Sequence, residues 1–409
     1  MSREYDAIVV GARCAGSPTA MLLARSGHRV LLVDKATFPS DTMSTHLIHA
    51  PGVAALQRWG LLDELAATGS PPIATYSYDF GSFMISGSAR PSDGVAGALC
   101  PRRTVLDDLL VRAAAAAGAE LREAFTVEEL LIEDGAVTGV RGHEQGGATV
   151  TERARVVIGA DGRNSLVARS VGAARYNEVP ALEAGYYAYW SGLPTDGAEF
   201  YSRADDRRLW GVLPTHDGLT CVIVGWPRSQ FEANRADYEG HYMKTFDLAP
   251  EFAERVRGAT RETGFKGTAD LAGFFRKPYG PGWALVGDAG YHKDPVTALG
   301  IAAAFRDAEA LSAALEDALA GRRSHDDALA GYQRARDEQS LALYDFTCEF
   351  AKIEPPPPEL QALLGAVSRS SDASDDFVSV MSGALPLPAF FAPDNVARIM
   401  REAGQVAPG

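Results

Sequence analysis

The sequence predicts an α/β protein with a parallel sheet and flanking helices, an inserted antiparallel sheet and a C-terminal helical region. Two observations lead to this fold class. Three segments far apart in the chain each consist of an apolar strand that ends in a turn of small residues. Between the second and third, the stretch from Tyr186 to Trp226 alternates aromatic and small residues. Strands followed by helices indicate a parallel sheet, whereas short alternating runs separated by turns indicate antiparallel strands.

The composition and net charge of the chain argue against several classes of protein. The chain has 409 residues, of which 46% are hydrophobic, enough for two or three domains with cores of their own. A net charge of -14 argues against a nucleic-acid partner or an anionic membrane surface. No apolar run reaches the ~20 residues of a membrane span and no signal peptide precedes the first strand, so we expect a cytoplasmic protein. The four cysteines form no C-x-x-C pair, which argues against a zinc site.

The first segment runs from the strand at Ile8 into the turn GARCAG, Gly11 to Gly16. Helical periodicity continues to Arg25, and a second strand then ends at Asp34. A strand, a glycine turn and a helix place a pyrophosphate on the helix N-terminus, and an acid about 20 residues further on accepts the hydroxyls of a ribose. The sequence therefore predicts a dinucleotide site here.

The elements that follow have weaker signals. Alanine, leucine and valine recur at helical or strand spacing, and prolines interrupt the C-terminal helical pattern. We expect helices at 51–65, 107–117 and 301–319, a loop at 38–50, strands at 127–132, 137–141 and 156–158, a helix break at 355–358 and a surface connector at 368–376.

The second and third segments repeat the first one's pattern. One turns at Gly159-Ala160-Asp161-Gly162, and the other runs from Gly287-Asp288-Ala289 through Asp294-Pro295 to Gly300. An acid at the end of a strand caps the next turn and also faces a ligand there. A ligand that contacts the start, middle and end of the chain is extended. FAD fits this description better than a transiently held nicotinamide.

Together with the motif RTVLD at Arg103 to Asp107, these segments resemble the FAD-dependent enzymes of the p-hydroxybenzoate hydroxylase fold. That group includes aromatic hydroxylases, flavin-dependent halogenases and geranylgeranyl reductases. The resemblance implies a Rossmann-like FAD-binding domain of the glutathione-reductase type. We assign to it residues 1–70, 100–172 and 276–325, to a substrate domain residues 71–99 and 173–275, and to a C-terminal helical region residues 326–409.

The resemblance also implies which residues bind FAD. Two departures stand out: Arg13 replaces the second glycine of the turn, and Thr297 replaces a glycine of the last motif. The Arg13 side chain either turns outward or contacts phosphate oxygens, and Arg102 competes with Arg103 for a cofactor contact. The expected FAD-binding residues are Gly11, Arg13, Ala15, Gly16, Asp34, Lys35, Arg103, Asp161, Gly287, Asp288, Pro295 and Gly300.

Candidates for catalysis and substrate binding come from two other places. In this fold the loop that contains His46 and His49 approaches the flavin ring, and imidazole transfers protons near neutral pH. The alternative is that each histidine is satisfied by backbone carbonyls. In the aromatic stretch we expect Tyr187, Tyr189 and Trp210 to contact substrate, although half or more of its aromatic residues belong to the core.

The reaction has alternatives within the fold. We predict a monooxygenase that hydroxylates an aromatic or apolar molecule with O2 through a flavin C4a-hydroperoxide, with electrons from NAD(P)H or a separate flavin reductase. The first alternative is a reductase of C=C bonds. A halogenase ranks lower, because no lysine occurs between Lys35 and Lys244 and the tryptophan motif of the tryptophan halogenases is missing. A flavin sensor or carrier without turnover is a third class. The sequence names neither the substrate nor the oligomeric state.

Overall fold

The computed structural model describes residues 4–405. The strands are β1 (Glu4–Val10), β2 (Val30–Val33), β3 (Pro72–Ile73), β4 (Tyr76–Asp79), β5 (Met84–Gly87), β6 (Ala98–Leu99), β7 (Glu120–Arg122), β8 (Phe125–Glu133), β9 (Ala136–Glu144), β10 (Val150–Gly159), β11 (Arg175–Val179), β12 (Glu183–Ser191), β13 (Ala198–Arg203), β14 (Arg208–Pro214), β15 (Thr220–Pro227), β16 (Thr260–Arg261), β17 (Lys266–Thr268), β18 (Gly273–Arg276), β19 (Tyr279–Gly280), β20 (Trp283–Leu285) and β21 (Tyr291–His292). The helices are α1 (Gly16–Arg25), α2 (Ala50–Trp59), α3 (Leu62–Ala67), α4 (Arg103–Ala116), α5 (Leu166–Ser170), α6 (Phe231–Asn234), α7 (Tyr238–Thr245), α8 (Pro250–Arg257), α9 (Gly300–Leu319), α10 (His325–Phe350), α11 (Pro358–Val367), α12 (Ser371–Met381), α13 (Leu387–Phe390) and α14 (Pro393–Gln405).

The first sheet contains the strands that lead into the three predicted turns. Its strand order is β19-β20-β10-β1-β2-β7, and β10 also pairs with the hairpin of β8 and β9. Strand β1 runs parallel to β2 and β10, and β10 runs parallel to β20. The carboxyl ends of parallel strands lie at one edge of a sheet, so the turns after β1, β10 and β20 meet at that edge.

Apolar layers cover both faces of this sheet. Ala7 and Val9 of β1 pack with helices α1, α2, α4 and α9, whereas Ile8 and Val10 pack with the β8–β9 hairpin through Phe125. Burial on both faces explains why β1 is apolar throughout instead of alternating. The resulting layers of helices, sheet and hairpin hold the edge with the turns in place.

The second sheet has the order β16-β12-β15-β14-β13-β4-β5 and is antiparallel except where β13 pairs with β4. Its aromatic residues divide between the two faces, because side chains alternate along a strand. Tyr187 and Tyr189 lie on the face toward the C-terminal helices. Trp210 and Trp226 lie on the opposite face, against helices α7 and α8.

The C-terminal region is more regular than the sequence suggests. The helix break at Pro355–Pro358 is confirmed, since α10 ends at Phe350 and α11 begins at Pro358. The expected surface connector at 368–376 is wrong. Ser370 caps the N-terminus of α12 by accepting a hydrogen bond from the backbone N–H of Ala373, and Phe377 packs edge-on against Tyr78. Serine and aspartate act here as a helix cap and first turn, which a composition rule mistakes for a loop.

The predicted fold class is confirmed: a parallel sheet with helices, a second antiparallel sheet and a helical C-terminal region. The domain limits stay a prediction, and their outermost residues, 1–3 and 406–409, lie outside the described residues. A small sheet of β11, β18 and β21 contains strands from both sides of the predicted limit near residue 275. Within residues 4–405, no helix has the length and apolar character needed to cross a membrane.

Candidate functional site

A cavity of about 850 Å³ separates the edge with the turns from the second sheet. The three predicted turns all contribute to its wall, together with strands β12 to β15 of the second sheet. The predicted cofactor residues on the wall are Gly11, Arg13, Ala15, Asp34, Lys35, Arg103, Asp161, Gly287, Asp288, Pro295 and Gly300. Gly16, the remaining one, is buried at the start of α1.

Close backbone packing explains the two glycines of the first turn. Gly11 has a φ of +104°, and a Cβ there would lie 2.4 Å from the carbonyl oxygen of Ala160. A Cβ on Gly16 would lie 1.7 Å from the carbonyl oxygen of Gly11. Only glycine fits at either position, and the turns after β1 and β10 are thereby in direct contact. The arrangement is the one that brings backbone N–H groups and a helix N-terminus to a pyrophosphate.

Asp34 is held at this turn by backbone donors. One carboxylate oxygen accepts a hydrogen bond of 2.7 Å from the N–H of Ala12, and the other accepts one of 2.8 Å from the N–H of Ala36. The carboxylate therefore has a fixed position on the cavity wall beside Lys35. Its free lone pairs suit the hydroxyls of a ribose.

The side chain of Arg13 points to a buried carboxylate. It donates to Asp107 and, at 3.0 Å, to the hydroxyl of Ser40. Arg103 donates to both oxygens of the same carboxylate, at 2.8 and 3.0 Å, and Asp107 has no exposed side-chain surface. This arrangement is neither of the two alternatives stated for Arg13, because its guanidinium binds a carboxylate of the protein beside the cavity. It also explains the RTVLD motif, because Arg103 and Asp107 are one helical turn apart.

The structure also distinguishes Arg102 from Arg103 as candidates for a cofactor contact. Arg103 is 8% exposed and lies on the cavity wall. Arg102 instead lies 3.6 Å from the carboxylate of Asp217 and stacks over the ring of Tyr189. Arg103 is therefore the arginine that faces the cavity.

Asp161 lies at the turn after β10 and has one oxygen without a partner. The other oxygen accepts a 2.6 Å hydrogen bond from the N–H of Leu166, at the start of α5. Burial raises the pKa of Asp161 above its ordinary value. The unpartnered oxygen is a buried acceptor that lacks a donor from the described residues. Such an atom on a cavity wall indicates a ligand that donates a hydrogen bond.

The third segment brings a long helix to the cavity. Gly287 lies against α1, since a Cβ there would be 2.6 Å from that of Ala15. Helix α9 begins at Gly300 with no side-chain cap, and a Cβ on Gly300 would project into open space. The helix N-terminus is therefore open toward the cavity. The threonine that replaces a glycine in this motif does not obstruct it, because the hydroxyl of Thr297 lies 3.3 Å from that of Thr347 on α10.

Charge is unevenly distributed on the wall. The chain is acidic as a whole, yet cations gather around the turns of the first sheet. They are Arg13, Lys35, Arg103, Arg163 and Arg169, and they lie among the carboxylates of Asp34, Asp161 and Asp288. These cations, glycine turns that admit backbone N–H groups and the unpartnered oxygen of Asp161 are together a chemical match for the phosphates and hydroxyls of FAD.

The two histidines do not face the cavity, which corrects the expectation that they contact flavin or substrate. His49 lies 3.0 Å from the hydroxyl of Tyr76 and 3.3 Å from the carbonyl of Thr297. His46 lies 2.8 Å from the hydroxyl of Tyr189. Burial lowers the pKa of His46 to about 3 and that of His49 to about 4, so both are neutral at physiological pH. A polar loop motif does not distinguish a buried imidazole from a catalytic one.

The three predicted substrate residues have different surroundings. Tyr187 lines the cavity, and its hydroxyl has no partner among the described residues. The hydroxyl of Tyr189 is bound to His46, behind the wall. Trp210 borders the cavity, but it is 1% exposed and its ring stacks on Tyr201 at 4.6 Å. The structure thus assigns the Trp210 ring to the core beneath the sheet, because its position on β14 points it to the opposite face.

The sequence matches a protein family described as "FAD binding domain" over residues 4–347. The chain belongs to this family. It is 30% identical to the digeranylgeranylglycerophospholipid reductase of Methanocella arvoryzae over 309 residues, or 74% of this chain and 75% of that protein. It is 29% identical to the 6-methylpretetramide 4-monooxygenase of Streptomyces rimosus, covering 75% and 73% of the two chains.

A solved structure extends the likeness to nearly the whole fold of this FAD-binding protein. The flavin-dependent brominase Bmp2 aligns with a TM-score of 0.81 and 18% identity, covering 98% of this chain and 99% of that one. An identity this low shows a common fold. The suspected resemblance to FAD-dependent enzymes of this fold is confirmed.

Sequence reasoning missed two kinds of residue in this FAD-binding protein. The apolar wall opposite the cationic turns includes Leu209, Leu213 and Ile223, which look like ordinary strand residues in the sequence. Glu183 and Asp294 also line the cavity and are almost fully buried. Glu183 is marked in the sequence only as an acid at the start of an apolar strand. Asp294 was interpreted only as part of the flavin motif, not as a wall residue.

Proposed function

We propose that this protein is an FAD-dependent monooxygenase that hydroxylates an aromatic or apolar small molecule. The observation that carries the proposal is that one cavity joins the cationic cofactor turns to an aromatic and apolar wall. Substrate pockets with mostly apolar walls and few polar groups hold flat or apolar ligands. The relative in Streptomyces rimosus named as a monooxygenase supports this choice.

The chain's own residues have defined tasks in this proposal. Asp34 and Lys35 would hold the adenosine end of FAD, the turn at Gly11 its pyrophosphate, and Asp288 with the start of α9 the part nearer the flavin ring. Bound FAD would supply two-electron redox chemistry and the activation of O2. The open N-terminus of α9 stabilises negative charge that develops near Gly300. Leu209, Leu213 and Ile223 exclude water from the opposite side.

The electrons for this reaction would come from NAD(P)H or from a separate flavin reductase. Residues 4–405 form no further nucleotide-binding domain, so a nicotinamide would bind transiently at the flavin. Anaerobic mixing of the FAD-bound protein with NADH or NADPH separates the alternatives. Bleaching of the flavin by either nucleotide supports direct reduction, whereas no bleaching, with activity restored by a flavin reductase, supports external supply.

A reductase of C=C bonds is the second candidate, and the 30% identity to the archaeal reductase favours it. The volume of the cavity favours the monooxygenase instead. About 850 Å³ is within the range of a single small-ligand site, and in this proposal FAD and substrate would both have to fit there. A polyprenyl chain beside FAD would need more room.

The reaction of the reduced flavin with oxygen distinguishes a monooxygenase from a reductase of C=C bonds. The purified FAD-bound protein is reduced anaerobically and mixed with oxygenated buffer in a stopped-flow spectrometer, with and without aromatic compounds. A transient absorbance different from both reduced and oxidised flavin supports the monooxygenase. Direct return of oxidised flavin in every mixture, together with reduction of an alkene under anaerobic conditions, supports the reductase.

A further inference from the structure

One acid of the second sheet lies buried on the cavity wall. Glu183 opens strand β12 and lines the cavity together with Gly185 and Tyr187, which stand two and four positions further along the strand. Residues at this spacing share one face of a sheet. Glu183 is 3% exposed, so its carboxyl group is buried on the face that the second sheet turns to the cavity.

Two paired glycines leave the space for this carboxyl group. Gly185 of β12 lies opposite Gly225 of β15. A Cβ on Gly225 would lie 2.5 Å from Oε1 of Glu183, and a Cβ on Gly185 would lie 3.7 Å from the same oxygen. The carboxyl group therefore lies over the glycine pair, across the neighbouring strand. Any side chain at position 225 would occupy its place.

The carboxyl group of Glu183 lacks a donor from the protein. Its Oε2 is buried and has no hydrogen-bond partner among residues 4–405. A second acid on the wall, Asp294, is 4% exposed and has a buried oxygen in the same condition, Oδ2, whereas its other oxygen accepts a 3.0 Å hydrogen bond from the N–H of Val296. Buried acceptors without donors on a cavity wall indicate a ligand that supplies the donors.

The other acid that the second sheet contributes to the wall is already paired. The charged wall residues of strands β4 and β12 to β15 are Asp79 and Glu183. Asp79 forms a 3.0 Å ion pair with Arg203 on β13. Lys293 also lines the cavity, but its ammonium interacts with acids beside the first sheet, such as Asp288. Among the described residues of these strands, Glu183 is thus the acid on the wall without a counterion.

A protonated amine fits this position better than a hydroxyl or a carboxylate. An ionised carboxyl group only accepts hydrogen bonds, whereas an ammonium carries up to three N–H donors. Hydrogen bonds between groups of opposite charge are shorter and stronger than those between neutral groups. A hydroxyl offers one donor and no charge, and a carboxylate of the ligand would be repelled by Glu183. The neighbouring Leu209 and Ile223 on the wall suit an apolar body.

We propose that Glu183 is a specificity-determining residue that binds a protonated amine of the substrate over the pair of Gly185 and Gly225. The substrate is then an aromatic or apolar molecule with a basic nitrogen. This inference rests on the proposed function, because it takes the wall of the second sheet as the substrate side of the cavity. It gives Glu183 no part in the chemistry of oxygen.

The carboxyl group loses its proton when an amine binds. Burial, together with the negative charge of Asp294, raises the pKa of Glu183 well above its ordinary value, so that the group is protonated in the empty site. An amine that enters as an ammonium displaces this proton to the solvent. An amine that enters neutral takes it: the carboxyl O–H bond breaks, its electrons stay on the oxygen, and the nitrogen lone pair forms the new N–H bond. Both routes end in an ammonium beside a carboxylate.

Binding to the oxidised, FAD-bound protein tests the proposal without turnover. The probes are 2-naphthylmethylamine, 2-naphthylmethanol and 2-naphthoate, which share an aromatic body and differ in the charge of one group. Equilibrium dialysis at neutral pH measures their affinities. We expect the amine to bind about tenfold more tightly than the alcohol, equal to about 1.4 kcal/mol, and the naphthoate to bind more weakly than both. An amine that binds no more tightly than the alcohol overturns the proposal.

Two variants test the position of the charge. Glu183→Gln keeps the length of the side chain and removes its charge, so it should bind the amine and the alcohol equally. Gly225→Ala keeps the charge but places a Cβ where the carboxyl group lies, so it should also lose the preference. Retention of FAD by each variant shows that it is folded. A wild-type preference for the amine in either folded variant overturns the proposal.

Glu199→Gln is the matched control. Glu199 lies in the same sheet but outside the cavity wall, and it forms a 2.8 Å ion pair with Arg255. This variant should keep the preference for the amine, and its loss there would overturn the assignment to Glu183. If wild type prefers the amine and Glu183→Gln does not, but the oxygen transient never forms, the monooxygenase function fails while the amine site stands.

Discussion

The two sides of the cavity differ in how they are constructed. On the side of the first sheet, backbone turns set the shape, and glycines such as Gly11 and Gly16 permit contacts that no other residue allows. On the side of the second sheet, side chains of antiparallel strands set the shape, with Leu209 and Ile223 as examples. The first side carries both cations and acids, whereas the charged wall residues of strands β4 and β12 to β15 are the acids Asp79 and Glu183.

This difference indicates where specificity arises. A backbone site with glycine turns tolerates little change, because a single Cβ collides with the neighbouring turn. A side-chain wall changes with each substitution while the strands stay paired. Proteins named as a reductase, a monooxygenase and a brominase share this fold or its family with the chain, which agrees with a common cofactor side and a variable second side.

The largest effect is expected from the buried charges of the first side. Asp107→Asn leaves Arg13 and Arg103 without their common carboxylate, which we expect to cost about 4 kcal/mol of unfolding free energy, as for a broken buried ion pair. Denaturant unfolding measures it. The neighbour Asp108 forms an exposed pair with Arg112, so Asp108→Asn should cost less than about 1 kcal/mol. Similar costs for both variants would contradict the assignment.

A second prediction separates the two faces of the second sheet. Trp210→Ala removes a core ring and should lower the unfolding free energy by about 3 kcal/mol. Tyr187→Phe removes an unpartnered hydroxyl on the cavity face, and the variant should keep its stability within about 0.5 kcal/mol while its affinity for aromatic ligands changes. Thermal unfolding and ligand titration test both. If Trp210→Ala has wild-type stability, the assignment of Trp210 to the core is wrong and a contact with substrate is favoured instead.

A third prediction concerns the backbone character of the cofactor side. Gly16→Val places atoms within the space of the Gly11 carbonyl and should weaken FAD binding about 100-fold, equal to about 2.7 kcal/mol. Flavin fluorescence released on dilution reports the affinity. Gly365→Ala on helix α11, where a Cβ meets open space, is the control and should retain FAD as wild type does. Retention of FAD by Gly16→Val would show that the turn is not the pyrophosphate site.

The smallest effect is expected for the dependence of stability on acid pH that His49 causes. Burial lowers the pKa of His49 to about 4, so its neutral form contributes stability that is present above the unfolded pKa near 6.5 and is lost as the pH falls toward 4. His49→Gln should reduce this acid loss, by at most about 1.4 kcal/mol for each pH unit. His143→Gln, on the surface beside Glu128, should keep the wild-type acid profile. An unchanged profile in His49→Gln would mean that His49 is charged in the folded protein.

Much of the cofactor side could be read from the sequence because its signals are local. A strand, a glycine turn and a helix occupy consecutive residues, and the turn from Gly11 to Gly16 needs no distant partner to be recognised. Asp34 lies on the cavity wall directly after the strand that ends at Val33, and its role toward a ribose stays a prediction. The order of these motifs along the chain was sufficient to predict the fold class.

The tertiary structure decided what depends on contacts between distant residues. Arg13 points to Asp107 from 94 positions away, and His49 is satisfied by Thr297, 248 positions away. No periodicity shows that the ring of Trp210 packs in the core on one face of the second sheet while Tyr187 lines the cavity on the other. The sequence by itself determined the fold class and the cofactor turns, because backbone conformation is local. Burial and the direction of a side chain were decided only when the two sheets packed against each other.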